Sequence, residues 1–284
     1  MTDMPVGNTT QQGQPWPRLG AFSYDFADLD SLCAAFKQQG LSAVQLGSPL
    51  LDQVLAKPEI IAEVRGKLEE NGIQVVALAG YCNPVAPDEG RRRRNIEFLK
   101  RCLEAAPLLG VPVVATETGT RHEESDWIAV PENQGEEARA QLHSVIEELL
   151  AVAEEHGAIL ALEGYVNNVV ATLDDMTAVL ERFPSRQLQV VLDPYNYLSR
   201  ALLPQSEEVV NDFLQRFKQR FALAHLKDVS DRGAEVNTPE FGLGVFPQHI
   251  YLDFLRTQRP DLPLVLEHLP WEHMPAAIER VRRI

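Results

Sequence analysis

The sequence predicts an α/β protein, a single (β/α)8 TIM barrel. Three observations carry that reading: eight short apolar runs, longer amphipathic stretches between them, and polar residues placed where the last four runs end. The chain has 284 residues, near the roughly 250 that one such barrel needs. No linker divides it, because the proline-bearing patches at 83–87 and 130–131 are too short. Residues 1–17, rich in Gly, Pro, Gln and Thr, read as a flexible N-terminal tail, and 18–284 as the barrel and catalytic domain.

In chain order the apolar runs are 19–24, 43–46, 73–79, 111–116, 159–163, 188–193, 221–226 and 264–267. Most are nearly continuous in Val, Ile, Leu and Ala, as strands buried on both faces require. Helical spacing fills the intervals, for example at 95–103 and 142–152. Gly40, Gly72, Gly110 and Gly157 each stand just before a run, which is helix C-capping chemistry leading into a strand. Arg91, Arg92, Arg93 and Arg94 follow Asp88 and Glu89 at a helix start and read as a solvated face or as an anion patch. An open doubly wound sheet would carry Gly-x-Gly-x-x-Gly after its first strand. Residues 19–30 have none, and Gly242-x-Gly244 comes late, in a loop.

Composition narrows the function. The formal net charge of −15 repels phosphate backbones and anionic lipid, so neither nucleic acid nor membrane is an expected partner. No run approaches about 18 apolar residues, and no basic-then-apolar leader opens the chain. Cys33, Cys82 and Cys102 lack Cys-x-x-Cys spacing, which argues against a disulfide framework or thiolate zinc site and for the cytoplasm. Helical faces leave room for a homo-oligomer.

Glu163, Asp193, His225 and Glu267 stand at, or within a residue of, the ends of the last four strands, at intervals of about one βα unit with a longer loop before the last. In a barrel these side chains meet at the C-terminal mouth, where barrel active sites lie. A charge at the end of a Leu-Val-Leu strand costs several kcal/mol unless it is paired or metal-bound. Three carboxylates together repel one another, and a 2+ ion removes that conflict. Three oxygens and one imidazole suit Mn2+, Mg2+ or Co2+, with Zn2+ also compatible.

At these motifs the chain resembles the sugar phosphate isomerase/epimerase family, the xylose isomerase-like barrels of the AP endonuclease family 2 superfamily. The His225–Leu226–Lys227–Asp228 string and the closing Leu266–Glu267–His268 are its most characteristic pieces. The resemblance implies one divalent ion, Mn2+ foremost, on Glu163, Asp193, His225 and Glu267. It implies no trinuclear zinc cluster of the endonuclease type, because Gly47-Ser48, Tyr81-Cys82-Asn83 and Asn196 stand where extra histidines would be needed. Asn196 and Val169 also depart from the pattern of the ketose 3-epimerases.

The activity so implied is isomerisation or epimerisation of a ketose-type sugar or polyol by proton transfer through an enediolate, with Glu163 and Glu267 as acid and base. Dehydration of a cyclic polyol ketone, as in inosose dehydratase, and sugar binding without catalysis are the alternatives. Glu117, Asn196, Lys227 and His268 are the expected substrate contacts. Glu117 reads equally as a buried ion pair, Lys227 as a partner of Asp228 or Glu163. His268 turns to the opposite side if the last strand continues. His122 reads as a loop residue, and Trp127 and Trp271 as walls of the mouth or loop packing.

Overall fold

A computed structural model describes residues 17–236 and 238–283. All but the last residue of the expected tail therefore lies outside the described residues. Eight parallel strands close in sequence order: β1 (Leu19–Phe22), β2 (Ala43–Leu46), β3 (Gln74–Ala79), β4 (Val113–Glu117), β5 (Ile159–Glu163), β6 (Leu188–Leu192), β7 (Phe221–Leu226) and β8 (Leu264–Leu266). The eighth pairs back onto the first, Gly20 beside Val265. This is the (β/α)8 barrel that the apolar rhythm predicts.

Helices α1 (Leu29–Gln39), α2 (Leu50–Ala56), α3 (Ile61–Glu70), α4 (Glu89–Ala105), α5 (Glu136–His156), α6 (Leu173–Arg182), α7 (Ser206–Arg216), α8 (Gln248–Gln258) and α9 (Met274–Arg283) surround the strands. Their starts follow local chemistry. Asp28 accepts from the Ser31 amide, and Thr172 and Asp175 form a reciprocal capping box. Gly40 and Gly157 end α1 and α5 in the left-handed conformation, where a side chain would clash with its own backbone. Three residues of the arginine run are engaged. Arg91 pairs with Asp126 and Arg93 with Glu148, while Arg92 donates to the Ala86 carbonyl.

Two strand limits differ from the apolar runs for identifiable reasons. β4 starts after Pro112, which has no N–H for the ladder, and it continues through Glu117. β1 stops at Phe22 because Ser23 turns its hydroxyl to Gly47, donating to the carbonyl and accepting from the amide. The core fills both sides of the strands, with Phe213 stacked on Phe221 and edge-on to Phe217 outside the barrel. Among the described residues no helix is long and apolar enough to cross a membrane.

The β1–β2 seam is a tight strand contact. A Cβ on Gly20 would lie 2.3 Å from the Ala43 carbonyl oxygen, a backbone atom that cannot yield cheaply. Gly20→Ala is expected to cost about 1–3 kcal/mol of overpacking, lowering Tm by roughly 2–4 °C per kcal/mol in a domain of this size. Gly66→Ala in α3, with open space at that position, is expected to raise Tm slightly through helix propensity. Thermal melts that rank the two variants the other way would refute the packing argument.

Candidate metal centre

The four strand-end residues converge. Each of Glu163, Asp193, His225 and Glu267 offers one ligand atom, and these atoms all lie within 4.8 Å of one another. His225 Nδ1 stands 3.0 Å from Glu267 Oε2, 3.3 Å from Asp193 Oδ2 and 3.4 Å from Glu163 Oε2. The other ring nitrogen, Nε2, is 2.9 Å from Gln45 Oε1. An amide oxygen only accepts, so Nε2 carries the proton toward Gln45 and Nδ1 faces the carboxylates.

Neutral donors fix Glu163. The Tyr81 hydroxyl donates to Oε2 and the Asn196 amide to Oε1, both at 2.6 Å. Gln45 in turn donates from Nε2 to Tyr81 at 3.5 Å. A chain of hydrogen bonds thus runs from His225 through β2 and the end of β3 to Glu163. None of these donors adds charge; they aim lone pairs.

Lys227 supplies the charge. Its ammonium, 3% exposed, sits 2.8 Å from Asp193 Oδ2, 3.4 Å from Glu267 Oε2 and 3.8 Å from Glu163 Oε1. Pairing with Asp228, one of the sequence expectations, does not occur. Strand alternation puts Lys227 on the face of His225 and sends Asp228 to the other side. There its carboxylate accepts from the Val229, Gly242 and Phe246 amides and pins the loop after β7.

The electrostatics follow from burial. Burial, opposed chiefly by His225, pushes the Glu163 carboxyl up to about 7. Burial works to lower His225, but Glu267 and Glu163 outweigh it and bring the imidazole up to about 10. For Asp193 and Glu267 burial is outweighed by Lys227 and His225, and both stay below the usual carboxylate range. Asp193 Oδ1, fully buried, has no hydrogen-bond partner. Three carboxylates and the Nδ1 of one imidazole, with ligand atoms all within 4.8 Å of one another, fit a divalent cation. A proton on Nδ1 answers the same excess of negative charge, so ion binding would release it.

A cavity of about 630 Å³ opens above this cluster, lined by Glu117, Glu163, Asn196, Lys227, Glu267 and His268 among others. Asp193 and His225 lie deeper, at its floor. Glu117 is in register with Glu163 on the neighbouring strand. It is 3% exposed, its Oε2 has no partner, and it is not in a buried ion pair. Burial, with Asp126 and Glu163 adding to it, pushes its carboxyl well above the usual range. The last strand does not continue as far as His268. That residue turns at φ 51° and comes back to the mouth, Nε2 2.8 Å from Glu267 Oε1. Trp127 and Trp271 both line the cavity, Trp271 also packing on Phe26 and Phe36. His122 serves its loop, its Nδ1 accepting from the Glu124 and Ser125 amides.

Sequence reasoning missed Gln45, Tyr81 and Asn168 as residues of this mouth. Gln45 was the findable one, a polar side chain inside the apolar strand Ala43–Leu46. Tyr81 and Asn168 occupy loops where no periodicity marks them.

A family described as xylose isomerase-like TIM barrel matches residues 33–284. No curated protein matches the chain in sequence. Among solved structures, 3-keto-D-glucoside 4-epimerase from E. coli aligns with TM-score 0.71 at 17% identity, over 94% of this chain and 100% of that one. The IolI protein, solved with a bound zinc atom, aligns with TM-score 0.67 at 16% identity, over 93% and 96%. Endonuclease IV from Thermus thermophilus aligns with TM-score 0.69 at 18% identity, over 94% and 98%. At such identities the likeness is one of fold.

Two outcomes are expected. Gln45→Leu frees the His225 tautomer and lowers Mn2+ affinity about 10–100-fold, read by titration calorimetry; unchanged affinity would remove Gln45 from the site. Burial raises the Glu117 carboxyl above the value near ~4.3 that it has in the unfolded chain, so above that pH the folded state binds more protons and stability declines as pH rises. Glu117→Gln escapes the decline. Its Tm advantage over the parent protein should widen from about pH 5 to about pH 8, and a pH-independent gap would contradict the assignment.

Proposed function

The chain belongs to the xylose isomerase-like TIM-barrel family, and from that premise we propose that it is a metal-dependent isomerase or epimerase of ketose-type sugars. The observation that carries this reading is the convergence of Glu163 and Glu267, with Asp193 and His225, on the floor of a sugar-sized cavity. Glu163, Asp193, His225 and Glu267 would hold one divalent ion, Mn2+ foremost, with Mg2+, Co2+ and Zn2+ compatible with three oxygens and one nitrogen. When bound, the ion supplies Lewis acidity to adjacent carbonyl and hydroxyl oxygens of the substrate.

The protein's own groups do the rest. Glu163 and Glu267 flank the same imidazole nitrogen, at 3.4 and 3.0 Å, so a substrate carbon above it is within reach of both. One carboxylate takes the carbon-bound proton and the other returns one. Glu163, clamped at both oxygens by Tyr81 and Asn196, holds its orientation through the transfer. Glu267 touches half-exposed His268, which links it to solvent protons. Lys227 meets negative charge that develops on the substrate oxygens. Return to the opposite face of the same carbon gives epimerisation; return to the neighbouring carbon gives isomerisation.

A small sugar or polyol, rather than nucleic acid, suits the net charge of −15 and a mouth lined by Asp25, Glu117, Glu163 and Glu267. The test is exchange of a substrate carbon-bound proton into D2O by Mn2+-loaded protein across a ketose panel, followed by NMR. Glu163→Gln and Glu267→Gln are each expected to slow exchange about 10²–10⁴-fold. Exchange at the parent rate in both variants would overturn the acid/base pair, and loss of a hydroxyl in place of exchange would make the reaction a dehydration.

A further inference from the structure

Asn168 lies in the loop between β5 and α6, fully buried and facing the cavity. Neither its side-chain oxygen nor its nitrogen has a hydrogen-bond partner. An amide carries two donors and an acceptor, and native interiors seldom leave such a group unpaired at both ends. Hydrogen bonds on both sides of Asn168 hold the loop in this position. Asn168 donates its own backbone N–H to the Tyr165 carbonyl, Val169 to the Gly119 carbonyl, and Val170 to the Thr118 hydroxyl, while Asn133 grips the Asn167 carbonyl.

The unpartnered Glu117 oxygen belongs to the same side of the mouth. Glu117 stands one strand from Glu163, and the loop bearing Asn168 docks on the continuation of β4 at Gly119. Trp127 and Tyr165, edge to face at 6.4 Å, stand over that side. A fixed amide, a carboxyl group and an aromatic wall are the means by which a pocket binds hydroxyls on a ring or chain. Among the described residues the one lysine and the one histidine that line the cavity both face acids, Lys227 beside Asp193 and His268 beside Glu267. A phosphate group there would meet carboxylates instead of a free cation.

We propose that Asn168 and Glu117 form a hydroxyl-binding subsite, separate from the four strand-end ligands, that takes the uncharged polyhydroxyl portion of the substrate. The proposal rests on the sugar reading above and sets the substrate class as an unphosphorylated sugar of more than three carbons.

The experiment uses the full chain loaded with Mn2+, with Asn168→Ala and Asn168→Leu, against D-fructose, D-fructose 6-phosphate and dihydroxyacetone. Binding is measured by calorimetry and stability by melting without sugar. Asn168→Leu removes both orphaned atoms at once, so its Tm should equal or exceed that of the parent protein. D-fructose affinity should fall ten- to a hundredfold in both variants, at least tenfold more than affinity for dihydroxyacetone, which is too short to span both sites. A structural asparagine would behave the other way, losing Tm in both variants with equal effects on the two ketones, and that result overturns the subsite. D-fructose 6-phosphate binding tenfold tighter than D-fructose overturns the uncharged class. Failure of the parent protein to bind any hydroxy-ketone overturns the sugar reading itself, whereas binding unchanged in both variants overturns the subsite alone.

Discussion

Three carboxylates, one imidazole and one ammonium share the floor of the barrel mouth, and the requirement that they balance where they are largely buried governs the structure around them. Each buried ion costs several kcal/mol if left uncompensated. Lys227 therefore reaches all three acids, and His225 turns one nitrogen to the same group. Gln45, Tyr81 and Asn196 surround them with neutral donors and acceptors that set direction without altering charge. A cation at the centre would complete the same balance, which is why donor chemistry and geometry agree on that place.

The barrel frame and the mouth loops answer to different demands. Strand interiors are apolar on both faces and packed to the point that Gly20 tolerates no Cβ. At the C-terminal ends the chain spends polar side chains on holding loops. Asp228 gathers three amides after β7, and Asn83 ties the loop after β3 to Thr120. Binding groups then sit on loops that are themselves anchored to a rigid scaffold.

The parts of this arrangement that were legible in the sequence are those with a local signature. Strands buried on both faces must be continuous in apolar residues, so all eight runs stood out, and a lone Glu, Asp or His at the end of such a run was conspicuous for the same reason. Glycine caps before β2 to β5 were equally local. What escaped depends on contacts between distant segments. Nothing near Tyr81 shows that it meets Glu163, and nothing near Asn168 shows that its loop is pinned on Gly119. The left-handed turn at His268 defeats strand alternation at the one position where that rule was applied. Lys227 is the opposite case. Alternation does set it beside His225 and away from Asp228, so its pairing with Asp193 was within reach of the sequence.

The chain of hydrogen bonds behind the candidate metal centre also bears on how the molecule is made. His225 and Gln45 are 180 residues apart, Tyr81 and Glu163 are 82, and Gln45 and Tyr81 are 36. Contacts of such sequence separation raise the contact order of the fold, which slows folding. Gln45 and Tyr81 belong to the first half of the chain, whereas the imidazole comes with β7 and the last carboxylate follows β8. An N-terminal half, β1 to β4, therefore holds none of the four candidate ligands, and a C-terminal half, β5 to β8, holds all four without the Gln45 and Tyr81 side chains that orient them. The four candidate ligands and the neutral groups that orient them therefore come together only in the completed barrel.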